Sequence, residues 1–115
     1  MKKLVFIFTL SIGLLMLGCD SCDNENPSVQ LVNNGTGKAD IQVKTSGGNT
    51  ENLNNIGTGE LSERQTFEPG ETEFTISIQG VDTDILYMLY SSTCYDYNVT
   101  IHPDNTVTSS GVAID

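Results

Sequence analysis

Three cysteines, one histidine and two closely spaced carboxylate pairs are the residues of this chain whose types suit chemistry. Cys19 and Cys22 have the spacing of a redox dithiol or of half a zinc site. A zinc site needs further ligands, and no second Cys or His pair is present. His102 is the single histidine. A Ser or Cys nucleophile would need it as base, held by a third group. It stands directly before Pro103 and is expected to be an exposed turn residue. Glu71 and Glu73, like Asp82 and Asp84, are two apart, so each pair shares one face of a strand. Paired carboxylates can hydrolyse sugars. Asp82 and Asp84, with turn carbonyls, are hard oxygen ligands of the kind calcium takes. No complete calcium loop accompanies them, and no glycine loop of the phosphate-binding kind precedes a helix. The reading is no enzyme, no cofactor and no metal, with a small hydrolase built on His102 as the remote alternative.

The elements that must position these residues are strands. Ala39, Ile41 and Val43 alternate with Asp40, Gln42 and Lys44. Phe74, Ile76 and Ile78 alternate with Thr75, Ser77 and Gln79, and Tyr95, Tyr97, Val99 and Ile101 alternate with polar neighbours. Period-two patterning of this kind marks half-buried strands. Turn clusters separate them: Asn33 to Gly37, Ser46 to Asn49, Glu68 to Glu71, Gln79 to Asp82 and Pro103 to Asn105. Strands are expected near 28–33, 39–45, 60–67, 72–79, 84–91, 95–102 and 106–114, with 52–59 a loop. The expected core is Ile41, Val43, Phe74, Ile76, Ile78, Tyr97, Val99 and Ile101. In the last strand Val107 is out of phase with Val112 and Ile114. A bulge near Ser109-Ser110-Gly111 would restore the phase.

Seven short strands separated by turns predict an all-β sandwich. The run Tyr95-x-Tyr97-x-Val99-x-Ile101, before a last strand, resembles the sixth strand of immunoglobulin-like and fibronectin-like modules. That resemblance implies a small immunoglobulin-like β-sandwich. There is no Trp and no Cys-Trp-Cys spacing, and a small barrel or a transthyretin-like sandwich is the alternative.

One strand breaks the alternation. From Ile85 to Tyr90 both faces are apolar, with Ile85, Tyr87 and Leu89 in one row and Leu86, Met88 and Tyr90 in the other. One sandwich core needs a single row. The expectation is that the loop at 52–59 covers the second row. If exposed, Leu86, Met88 and Tyr90 become an interface, since Tyr and Met are enriched at such surfaces.

The amino terminus supplies an address. Lys2 and Lys3 precede an uncharged, mostly apolar run from Leu4 to Leu17, which closes on Gly18-Cys19. That run is shorter than the ~20 residues a membrane-spanning helix needs, and the order of parts is that of a signal peptide. Leu15-Met16-Leu17-Gly18-Cys19 resembles the lipobox of bacterial lipoproteins. The resemblance implies cleavage before Cys19, acyl chains on its sulfur and amine, and a lipid-anchored place in the cell envelope, at the outer membrane. Residues 1–18 are then the signal, 19–27 an acidic flexible tether and 28–115 the sandwich domain. The acidic run after Cys19 resembles a surface-export signal, whereas Asp20 in other lineages implies retention at the inner membrane; which membrane and which leaflet stay open. Acylation would consume Cys19 and leave Cys22 and Cys94, which either bridge in an oxidising compartment or leave Cys94 as a buried thiol.

All fifteen acidic residues lie beyond Cys19, where Lys38, Lys44 and Arg64 are the bases. Such a surface repels nucleic acid. The expected partners are a membrane, through lipid on Cys19, and an envelope protein. The expected role is a non-catalytic binding or accessory module contacting an envelope protein or extracellular ligand. The alternative is a protective, immunity-type envelope factor that blocks a toxin.

Overall fold

The computed structural model describes residues 22–114. Cys19, and residues 1–18 read above as a signal peptide, lie outside the described residues. The described chain is all β, in two sheets that face each other across one core. In order, the strands are β1 (Ser28–Asn33), β2 (Ala39–Lys44), β3 (Thr50–Ile56), β4 (Glu60–Leu61), β5 (Gln65–Thr66), β6 (Gly70–Ile78), β7 (Ile85–Ser91), β8 (Tyr95–Ile101) and β9 (Val107–Ala113). The first sheet runs β4-β1-β8-β9, with β5 also on β1; the second runs β3-β2-β6-β7. β1 and β8 are parallel, and the other pairings are antiparallel.

The connectivity differs from the immunoglobulin-like expectation. In the constant-type immunoglobulin sandwich the first and second strands share a sheet. Here β1 and β2 lie in different sheets, and each hairpin β2–β3, β6–β7 and β8–β9 stays within its own.

Alternation places the core. Ile41, Val43, Phe74, Ile76, Ile78, Val99 and Ile101 are buried, and Tyr97 packs half-buried against them. Val29, Leu31, Ala39, Leu53, Ile56, Phe67 and Leu89 complete the cluster. Phe74 is its largest fully buried side chain, and deleting such a ring costs about 3–5 kcal/mol.

Three expectations are corrected. Residues 52–56 are not a loop, because Thr50–Ile56 form the edge strand β3; the turn is confined to 57–59. The register shifts between Ala39 and Ile41, and Asn55 takes a φ of 63°. This bulge puts Leu53 and Ile56, three apart, on the same buried face. Asp40 holds it by accepting a hydrogen bond from the Asn55 amide at 2.8 Å. The expected strand 60–67 is broken into β4 and β5. Between them the Ser62 hydroxyl accepts from Leu31 N at 2.8 Å, so a side chain replaces a ladder partner.

The third correction is β9, which pairs regularly from Ile101↔Val107 to Tyr95↔Ala113 and has no bulge. Gly111 serves another purpose: a Cβ there would lie 2.6 Å from the Tyr97 ring. It clears space for an aromatic side chain on the opposing strand. Val107 faces inward and Val112 is left exposed.

The segment before β1 is fastened to the sandwich. Cys22 and Cys94 form a disulfide with their Cα atoms 5.7 Å apart. Cys94 N donates to Glu25 O at 2.9 Å, and Phe67 N donates to Pro27 O at 3.0 Å. Residues 22–27, read from composition as tether, are therefore held against the fold.

Candidate functional site

β7 is an edge strand of the second sheet, and its two faces have different fates. Ile85, Tyr87 and Leu89 point to the core. Leu86, Met88 and Tyr90 point outward and are 66%, 40% and 70% exposed. The expected cover is absent for a simple reason. β3, which contains most of residues 52–59, is the opposite edge of the same sheet, with β2 and β6 in between.

The neighbouring column on β6 is acidic. Glu71 stands opposite Tyr90, Glu73 opposite Met88 and Thr75 opposite Leu86. Lys44 on β2 is opposite Glu73. A depression of about 370 Å³ lies among Lys44, Glu71, Glu73 and Met88. The Tyr90 phenol donates to Glu71 Oε2 at 3.1 Å. That hydrogen bond, and then the Glu71 charge, hold the phenol above its ordinary value, so Tyr90 remains a donor. The arrangement is an exposed apolar row with a carboxylate margin.

The outer face of the first sheet is different. Arg64, from the break between β4 and β5, reaches over it. Its Nη1 donates to Ser28 Oγ at 2.9 Å and to Tyr97 O at 3.0 Å, and its Nη2 donates to Asn98 Oδ1. Ser28 Oγ in turn donates to Asp96. Ser28, Asp96, Asn98 and Arg64 are thereby engaged with one another. Sequence reading missed Arg64 in this role; its one signal was being the only arginine in the chain. It also missed Asn33, a fully buried side chain with three hydrogen bonds: from Nδ2 to Gly37 O and Ile56 O, and to Oδ1 from Gly35 N. Its signal was an amide at a position in phase with Val29 and Leu31.

The other candidates are not brought together. His102 Nε2 lies 2.7 Å from Thr108 Oγ1 on the outer surface. Asp84 accepts from Ser77 Oγ at 2.8 Å, while Glu71 is engaged with Tyr90. Among the described residues no three His, Cys, Asp or Glu side chains converge as metal ligands. Cys22 and Cys94 are spent on their disulfide.

No family model and no curated protein matches this chain. Among solved structures, it is similar to the C-terminal domain of AlgF from P. aeruginosa. The TM-score is 0.50 at 12% identity, over 77% of this chain and 98% of that chain. At that identity the likeness concerns the fold alone, an all-β arrangement of sheets.

Proposed function

We propose that this chain is a lipid-anchored lipoprotein of the cell envelope, at the outer membrane, whose sandwich is a non-catalytic binding module. The observation that carries the reading is the outward row of Leu86, Met88 and Tyr90 on β7. Contiguous exposed apolar side chains rimmed by polar ones are characteristic of protein interfaces. Support for the anchor is the lipobox-like Leu15 to Cys19 after Lys2-Lys3. Of the finer folds open to the sequence, the pairing favours a transthyretin-like sandwich: two separate sheets argue against a closed barrel, and β1 and β2 lie in different sheets.

One experiment in intact cells tests both halves. Cys19→Ser abolishes fatty-acid labelling and membrane retention. A photo-crosslinking residue at Leu86 gives a discrete adduct that is lost on Tyr90→Lys, while the same residue at Thr108 gives none. Undiminished labelling of Cys19→Ser removes the anchor, and equal crosslinking from both faces removes the binding surface.

A further inference from the structure

The edges of the two sheets are not equivalent. β3 carries the Asn55 bulge, β4 and β5 are two residues each, and β9 runs through Ser109, Ser110 and Gly111. Bulges, short strands and weak strand formers are ways of blunting an edge against unwanted pairing. β7 has none of them. It is seven residues, ILYMLYS, without Pro, Gly, Lys or register shift. One of its sides pairs with β6 throughout, and among the described residues no strand pairs with the other. The unblunted edge and the exposed apolar row belong to the same strand.

We propose that β7 accepts an extended, basic strand of another envelope protein as a further strand of the β3-β2-β6-β7 sheet. This deepens, and rests on, the binding-module reading. Main-chain hydrogen bonds along Ile85–Ser91 supply affinity, and alternate side chains of the incoming strand supply specificity. Its outward apolar residues lie beside Leu86, Met88 and Tyr90. Its lysines or arginines answer Asp84, which precedes β7, and reach across the row to Glu71 and Glu73, about two strand spacings or 9–10 Å away. A second copy of this chain is a poor occupant. Pairing β7 with β7 would bring two carboxylate margins together on a chain of formal charge −10, and like charges across an interface oppose association.

The test uses the full chain in neutral detergent micelles, with backbone amides followed by NMR. The probe is a short synthetic peptide of the repeat Val-Thr-Lys-Thr, called the Val–Lys peptide, in which Val and Lys share one face of the strand. Controls are the same peptide with Glu for Lys, and the Val–Lys peptide N-methylated at alternate residues, in both phases. The Val–Lys peptide should saturably shift the amides of 85–91. The Glu peptide and at least one N-methylated phase should bind about tenfold or more weakly, roughly the effect of one lost hydrogen bond. Met88→Lys should bind the Val–Lys peptide about tenfold more weakly at unchanged melting temperature. Equal binding of both N-methylated phases overturns strand addition and leaves the apolar row as a face-docking site. Equal binding by Met88→Lys overturns the row itself. Failure of the Val–Lys peptide to bind, equal binding of the Glu peptide, or a concentration-dependent dimer that shifts 85–91 without peptide each overturns the basic-strand proposal.

Discussion

The phenol oxygen of Tyr87 lies 2.7 Å from the hydroxyl of Ser109, and this contact joins β7 to β9 at the side where both sheets end. The edges of a sandwich drift apart unless something spans them, and here a half-buried hydroxyl pair does so. Tyr87→Phe keeps the ring and should cost about 1 kcal/mol in denaturant unfolding. Combined with Ser109→Ala, the two losses should be less than additive, because both delete one bond. Full additivity would show that the two hydroxyls act separately.

Asn33 ties three segments that meet at the far end of β1: the turn at 35–37, the end of β3 and β1 itself. Asn33→Ala leaves a buried N–H and two carbonyls without their partner. The expected loss is about 2–4 kcal/mol, since each orphaned buried group carries a desolvation penalty. A loss below about 1 kcal/mol would mean that water enters and replaces the amide.

Thr72 is fully buried in β6, and its hydroxyl has no hydrogen-bond partner. Thr72→Val replaces that hydroxyl with a methyl of similar size and keeps the β-branched shape. Melting should rise, by up to about 1–2 kcal/mol of stability. A destabilised variant would reveal a partner for the hydroxyl in solution.

The Cys22–Cys94 disulfide closes a loop with a sequence separation of 72. On the chain-entropy account, opening a loop of that size costs about 4 kcal/mol. Cys22→Ser with Cys94→Ser should lower stability by that order in calorimetry. It should also raise hydrogen exchange at the backbone amide of position 94, which in the parent donates to Glu25 O.

Asp104 in the β8–β9 turn is held below its ordinary value, first by the hydrogen bond from the Thr106 hydroxyl and then by the Thr106 amide. A carboxylate depressed in the folded state adds stability above its unfolded value, near 3.9, and that addition fades as pH falls through the folded one. Thr106→Val should move the Asp104 titration, followed by side-chain NMR, upward toward the ordinary value.

Strands with strict alternation were legible because one face of each meets the core. β2, β6 and β8 follow the spacing of Ile41 to Val43, Phe74 to Ile78 and Val99 to Ile101. β3 was not, because its bulge sets Leu53 and Ile56 three apart and hides the period. Gly111 signalled something special in β9, but the cause was the Tyr97 ring across the ladder, a contact between strands that local spacing does not encode. The double-faced apolar run at 85–90 was visible from composition. Its exposure depended on where β3 lies in the sheet order, which is a property of the pairing and not of either segment.

The disulfide also sets a height. Cys22 is three residues beyond Cys19, and three extended residues span at most about 10 Å. A domain hung from acyl chains on Cys19 would therefore ride close against the headgroups, leading with the pole that holds Cys94, the turn after β2 and the turn before β6. The strands rise from that pole, about 3.3 Å per residue, so β7 would stand upright with Tyr90 low and Leu86 high. Reducing the sulfur bond would lengthen the leash and free the body to tip. In the oxidised form of such an anchored chain, the edge would be offered sideways, to something standing beside it on the same bilayer.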